Sequence, residues 1–387
     1  MTAQPADLRD PLRILQVVNV RWFNATAWYG LFLSRLLRDA GHSVRVICLG
    51  GTETFAKAVE WGLNPESLPL NRADPFTVAR MFAKLSSRVR EFSPHIVNCH
   101  RGEALILWGL LKAAGHSFAL VRTRGDQRRP KNNCINRWLH GKVVDAVIAV
   151  NSRAAADMRC LGVAPARLHT IVGGVDNTGF YPDPEGRSAM RAAWGIGAAE
   201  KVIGLLGRFD AVKGHKVLLD AVAYLCREQE GMPLRLVLAG FPTDMAGLDA
   251  VEGWIQTAGL EGRALLTGRV ANVRACIAAF DVGVVASIGS EAIARAALEI
   301  MACGVPLLGT RVGVMPDLLD EDALAAPGDA SALAALLRRF FTDASYAAKL
   351  EEEQRLRISS LSARNFLEQT LAVYCTALHG AGPSSPP

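Results

Sequence analysis

Residues 202–215 read Val-Ile-Gly-Leu-Leu-Gly-Arg-Phe-Asp-Ala-Val-Lys-Gly-His. An apolar run of strand length, Val202 to Leu206, leads into a turn that presents Arg208 and Lys213, and a helix-length amphipathic segment follows. The same succession recurs along most of the chain. Upstream, strands are expected at Ile14 to Val20, Val44 to Leu49, Ile96 to Cys99, Ala119 to Arg122 and Val144 to Val150. Downstream they are expected at Leu234 to Ala239, Ala264 to Thr267, Val282 to Val285 and Pro306 to Leu308. Alternating strands and helices of this kind build a parallel sheet covered on both faces, so the chain reads as α/β and doubly wound.

The stretch from Val172 to Gly186 is rich in glycine and proline and lacks periodicity, which marks a linker near residue 180. Two domains follow, residues 1–178 and 179–358, each with its own sheet. The 387 residues, 50% hydrophobic and 21% charged, suit two globular domains and exclude a disordered or disulfide-scaffold chain. The longest apolar runs fall far short of the roughly 20 residues of a membrane-spanning helix. The opening residues MTAQPADLRDP lack the basic cluster and apolar core of a secretory signal, so a cytoplasmic location is expected. Eight single cysteines, without the spacing of a zinc site, read as reduced and mostly buried thiols.

Charge is concentrated in one window. Between Arg122 and Lys142 stand seven basic residues against the single acid Asp126, enough to account for the whole formal net charge of +6. A neutral body with one basic patch suits an anionic substrate or an anionic lipid surface better than nucleic acid, which needs a longer footprint. The amphipathic stretch Asp74 to Phe92 either lies on a membrane surface or packs as an ordinary helix.

In open parallel sheets, ligands sit beyond the carboxyl ends of strands, where helix N-termini favour anions. Arg208 and Lys213 occupy such a place, and two fixed cations there suit a diphosphate. A second place is Ser287-Ile288-Gly289-Ser290-Glu291, where Ser290 is expected to cap a helix that Glu291 opens. Glu299 then lies eight positions on, about 12 Å along the axis. It stands in an otherwise apolar helix with no evident partner, a position that ligand hydroxyls would satisfy. Arg295 is directed either at a donor phosphate or carboxylate or into solvent. A helix is expected from near Thr26 to before Gly41, capped by Asn24 or Thr26.

Together Gly207-Arg208, Lys213-Gly214-His215, the Glu291/Glu299 pair, Ala302-Cys303-Gly304-Val305-Pro306 and the linker Gly173-Gly174-Val175-Asp176 resemble the retaining glycosyltransferases of family four. Arg122-Thr123-Arg124-Gly125-Asp126, after Pro94 to Gly102, further resembles bacterial members that build lipopolysaccharide or other cell-surface glycans. The resemblance implies the GT-B fold, two Rossmann-like domains facing a cleft, with a C-terminal helix, about 360–378, returning to the first domain. It implies a nucleotide-sugar donor held by Gly207, Arg208, Lys213, Arg269, Val270, Ser290, Glu291, Arg295 and Glu299. Arg208 and Lys213 would hold the diphosphate, Glu291 the sugar and Glu299 the ribose, with His100 facing the reacting sugar. Asn24, Thr26, Arg124, Asp126, Arg128 and Arg129 would lie on the side of a glycan or lipid-linked anionic acceptor, with peripheral contact at the inner-membrane surface. No metal or other cofactor is implied, because side-chain cations and helix amides absorb the leaving-group charge. Asp320-Glu321-Asp322 reads as a solvated acidic turn.

Two departures stand out. The first loop, Phe23 to Gly30, lacks the paired glycines of many family members, and Ala292-Ile293-Ala294-Arg295 replaces a glycine-rich turn. The rival readings are a sugar-nucleotide epimerase of the same fold, which needs no acceptor, and a non-catalytic nucleotide-sugar or nucleic-acid binder.

Overall fold

The structure, a computed structural model, describes residues 10–71, 74–242, 247–289 and 291–380. Contacts divide the chain into two units. The first ends at Gly173 and takes in the chain again from Arg364, and the second runs from Gly174 to Ala363. The division falls ahead of the 178–179 boundary because Val175 bridges Ser362 and donates its N–H to the Leu361 carbonyl, which ties the linker to the second unit.

The first sheet holds β1 (Arg13–Val18), β2 (Ser43–Cys48), β3 (Glu66–Ser67), β4 (Ile96–Cys99), β5 (Ala119–Arg124), β6 (Ala146–Ala149) and β7 (Leu168–Thr170), in the order β3-β2-β1-β4-β5-β6-β7. The second holds β8 (Lys201–Leu206), β9 (Leu234–Ala239), β10 (Ala264–Gly268), β11 (Val282–Val285), β12 (Leu307–Thr310) and β13 (Leu324–Ala325), in the order β10-β9-β8-β11-β12-β13. Neighbouring strands pair in parallel in both. In each sheet the chain starts in the middle, runs to one edge and returns beside its first strand. The strand order therefore reverses between β1 and β4, and again between β8 and β11, where open α/β sheets bind ligands.

The strands not foreseen, β3, β7 and β13, are edge pieces of two or three residues, too short to carry a periodic signal. The helix Pro75–Phe92, capped by Asp74, does not lie on a membrane by its apolar face. Met81, Leu85, Val89 and Phe92 are buried in the core under β1, β4 and β5. Burial of four such side chains contributes roughly 6–12 kcal/mol gross, which fixes that face inward.

Asn24, rather than Thr26, caps the helix Ala25–Asp39, its Oδ1 accepting from the N–H groups of Thr26 and Ala27. Gly30 lets this helix lie tight on the sheet, since a Cβ there would stand 2.8 Å from Val18 Cγ2 and 3.2 Å from the His100 ring. The last helix, Ala363–Gly380, closes the first unit: Phe366 packs edge-on to Tyr29 at 4.7 Å, and Tyr374 is fully buried. Among the cysteines only Cys48, Cys99, Cys276 and Cys303 are buried, whereas Cys134 and Cys160 are exposed, so the expectation of mostly buried thiols holds for half of them.

Candidate functional site

In the second unit three turns converge beyond the carboxyl ends of β8, β11 and β12. After β8, Asp210 accepts from the Val212 N–H and shapes a short 3-10 turn, Ala211–Lys213, that delivers Lys213 to the head of the helix His215–Glu228. Gly214, at φ 72°, joins the two, and a Cβ there would fall 1.9 Å from the Ala286 carbonyl oxygen. Only glycine admits so close an approach of the β8 and β11 turns. The Ile288 N–H, donating to the Val212 carbonyl, fastens them.

Lys213 Nζ donates to Glu291 Oε1 at 2.5 Å, and Ser287 Oγ donates to the same oxygen at 2.5 Å. The Glu291 carbonyl in turn accepts from Val314, beyond β12. Glu291 is thus a buried carboxylate held by a cation and a hydroxyl. It does not open a helix. The helix begins at Arg295, because Ala294 sits in the left-handed region at φ 43° and interrupts the turn before it. The 12 Å helical spacing to Glu299 therefore does not apply, and Ser290, expected as the cap, lies outside the described residues.

Glu299 is buried, with its carboxyl pushed up by burial and pulled back by Arg295. Arg295 Nε donates to Glu299 Oε1 at 2.6 Å, so the expected absence of a partner for Glu299 is corrected, while the Arg295 side chain stays partly exposed. Arg208 is exposed, its nearest carboxylate, Asp210, lying 4.0 Å away. Gly207 donates its N–H to the Ala239 carbonyl, and Phe209 donates to Phe241. Arg269 stacks its guanidinium 3.7 Å from the centre of the Phe241 ring, and Val270 beside it is half-buried. Sequence reading missed Ser287 and Phe241, whose parts depend on partners four and 28 positions away. His215, against Phe209, is held neutral, its ring pushed down to about 4 by burial.

The first unit gathers its polar groups beyond β1, β4 and β5. His100 follows β4 directly but is fully buried, so it faces no open surface. Gln16 Nε2 donates to Tyr374 Oη, leaving Gln16 Oε1 to accept from His100 Nε2 at 2.8 Å. This assigns the proton to Nε2, and burial pushes the imidazole down to about 3. Asn98 Nδ2 also donates to Tyr374 Oη, and Thr123 Oγ1 donates to Asn98 Oδ1.

Asp126 draws three guanidinium groups: Arg122, Arg124 at 2.5 Å and Arg101 at 3.4 Å. Arg101 also donates to Glu103, so three cations face two carboxylates. Arg122 and Arg124 are buried, and burial lowers each to about 10, which leaves both charged near neutrality. The basic window is accordingly not one patch: these two arginines turn inward, while Arg128 and Arg129 are exposed. Thr26 Oγ1 donates to the Gly125 carbonyl at 3.2 Å, which brings Asn24 and Thr26 beside the Asp126 cluster. The three acids at 320–322 pair with Arg357, Arg311 and Lys349.

Residues 28–178 match the family model described as Glycosyltransferase Family 4, and residues 186–357 the one described as Glycosyl transferases group 1. Each unit thus carries a glycosyltransferase domain, and the architecture is GT-B. Among curated relatives, D-inositol 3-phosphate glycosyltransferases of Saccharomonospora viridis and Kineococcus radiotolerans are 32% and 28% identical, over 56% and 68% of this chain. The chain spans 52% and 65% of their respective lengths, about half to two thirds. Among solved structures, the Anabaena protein Alr3699/HepE in complex with UDP superimposes with TM-score 0.81 at 19% identity, covering 93% of this chain and 98% of that one. A Rickettsia africae glycosyltransferase gives 0.82 at 18%, covering 95% and 99%. At such identities these structures speak to the fold.

Proposed function

We propose that this chain is a retaining glycosyltransferase that moves a sugar from a nucleotide-sugar to an anionic acceptor without a metal ion. The carrying observation is the Lys213–Glu291–Ser287 assembly with exposed Arg208 beside it, at the strand-order reversal of the second sheet. Fixed cations at a helix N-terminus stabilise a departing diphosphate. In front-face displacement the bond from the anomeric carbon to the phosphate oxygen breaks as the acceptor oxygen bonds to that carbon. The acceptor proton passes to the departing phosphate oxygen, so no separate base is required. Arg208 and Lys213 take up the developing charge, Glu291 orients Lys213 and the sugar, and Glu299 with Arg295 meets the ribose. Structural neighbours solved with UDP and with UDP-glucose support a UDP-hexose as the first donor to test.

The first unit is proposed to hold the acceptor, with the one cation in excess around Asp126 and Glu103 attracting a phosphate or carboxylate. Two acceptor classes have support. The curated relatives are named for inositol 3-phosphate. The resemblance to surface-glycan enzymes, with the outer-core galactosyltransferase WaaB as a structural neighbour, favours a glycan or lipid-linked acceptor of the bacterial envelope.

The test is a thermal-shift screen of nucleotide-sugars, followed by incubation of the stabilising donor with each acceptor class, with and without chelator. Nucleotide release that requires acceptor, survives chelation and leaves the anomeric configuration unchanged is expected. An epimerised sugar formed without acceptor, or an inverted product, would overturn the proposal.

A further inference from the structure

The loop that follows β1 fixes its backbone and leaves one aromatic ring outside. The Trp22 carbonyl accepts from the Asn24 N–H at 2.8 Å and from Thr54 Oγ1 at 3.2 Å, so it is held by its own turn and by the helix Glu53–Glu60. The Phe23 N–H donates to Glu53 Oε2, and the Phe23 ring meets Trp61 edge-on at 5.9 Å. Val20 is buried, Asn24 caps the next helix, and Thr26 reaches the Gly125 carbonyl. The Trp22 ring alone of these stands 64% exposed. Val17 pairs with Cys99, so this loop and the residues Arg101 and Glu103 leave neighbouring parallel strands at the same end, where the strand order reverses. Arg101 and Glu103 both keep part of their side chains exposed. Asn19, at the root of the loop, is buried with neither Oδ1 nor Nδ2 paired among the described residues. Buried polar atoms nearly always find partners, so this carboxamide is hydrogen-bonding capacity that the fold leaves unused.

We infer, on the reading of the first unit as the acceptor side, that Trp22 is the platform on which the acceptor stacks, and that the acceptor presents a six-membered polyhydroxylated ring, a pyranose or a cyclitol. Such a ring is amphipathic in a particular way: its axial C–H groups make an apolar face, and its hydroxyls make a polar edge. The negative face of an indole attracts those C–H groups. The hydroxyls, each a donor and an acceptor, suit Arg101, Glu103 and, directly or through a water, the Asn19 carboxamide. An open-chain polyol has no such face. A protein or lipid partner would call for a broader apolar patch than one ring, and here Val20 and Phe23 are turned inward.

The test is saturation-transfer NMR on the full chain, with methyl β-galactopyranoside, methyl β-glucopyranoside and myo-inositol as ring probes and glucitol as the open-chain control. Transfer to the ring C–H protons of at least one probe, and none to glucitol, is expected, and the pyranosides against the cyclitol separate the two sources. Trp22→Ala should weaken the bound ring about tenfold, the size of one aromatic stacking contact, whereas Trp22→Phe should retain part of it. With the acceptor that supports nucleotide release, the alanine variant should raise KM by a similar factor and change kcat little, since the stack is made alike in ground and transition states. Both variants alter an exposed side chain, so the melting temperature should stay as in the parent. Silence from all three rings, an equal signal from glucitol, or an alanine variant that binds like the parent would overturn the proposal. Acceptor-dependent release that persists unchanged in Trp22→Ala would remove Trp22 and leave the acceptor reading intact. A parent chain that binds a ring through Trp22 yet releases nucleotide only to water would do the reverse.

Discussion

The two units solve the placing of polar groups in opposite ways. In the first, polar side chains are set in the strands themselves: Gln16 on β1, Asn98 on β4, and Arg122, Thr123 and Arg124 on β5, all buried. In the second, the buried strand positions are apolar or glycine apart from Thr310, and the charges stand in the turns that follow. Buried strand polar groups must find partners within the fold, so the first unit's network contributes to stability and register. Turn-borne charges such as Arg208 keep an exposed head for a ligand. Damage to the first unit should therefore register as lost stability, and damage to the second as lost turnover.

The largest expected effect tests the second half of that contrast. Lys213→Ala should lower transfer about a thousandfold, and Arg208→Ala about a hundredfold, as expected when fixed charge is removed from a transition state. The two should differ in melting temperature: Arg208 has its nearest carboxylate at 4.0 Å, whereas loss of Lys213 leaves the buried Glu291 with Ser287 alone. Calorimetry beside steady-state kinetics separates them. Wild-type turnover in the Lys213 variant would break the comparison.

The next effect tests the first half. Tyr374→Phe deprives two buried amide donors, on Gln16 and Asn98, of their acceptor, and should cost about 2–5 kcal/mol in chemical denaturation. Ser287→Ala, the counterpart in the second unit, leaves Glu291 its lysine and should cost only about 1 kcal/mol. Equal losses would blur the distinction.

A third effect is graded with pH. His100, pushed down to about 3, and His140 and His215, each to about 4, are neutral in the fold but take up protons when unfolded near pH 6.5. The unfolded chain binds more protons in that interval, so the stability their neutrality supports is complete above about pH 6.5 and declines as pH falls toward 4. Each histidine contributes at most roughly 1.4 kcal/mol per pH unit. Denaturation midpoints for His100→Gln should show a shallower acid slope than the parent, and an unchanged slope would remove His100 from this account.

The architecture was legible in the sequence because apolar runs of strand length alternate with amphipathic segments, and the principal strands begin and end within about two residues of expectation. The short edge strands were not, since Glu66–Ser67 carries no periodic signal. Arg208 and Lys213 were legible from a strand, a turn and a helix in succession. Glu291 was misplaced because nothing in an alanine announces the left-handed backbone that Ala294 adopts. The network joining Gln16, Asn98 and Tyr374 spans 276 to 358 positions to its tyrosine, beyond the reach of any local pattern.

That tyrosine rides on the helix Ala363–Gly380, which belongs to the first unit although the whole second unit precedes it in the chain. During synthesis the second unit can settle as soon as its residues leave the ribosome. The first must wait, its amides at 16 and 98 lacking their hydroxyl partner until the final helix emerges. A stalled or shortened polypeptide would thus hold one finished half and one unfinished half, and the unfinished half is the one made first.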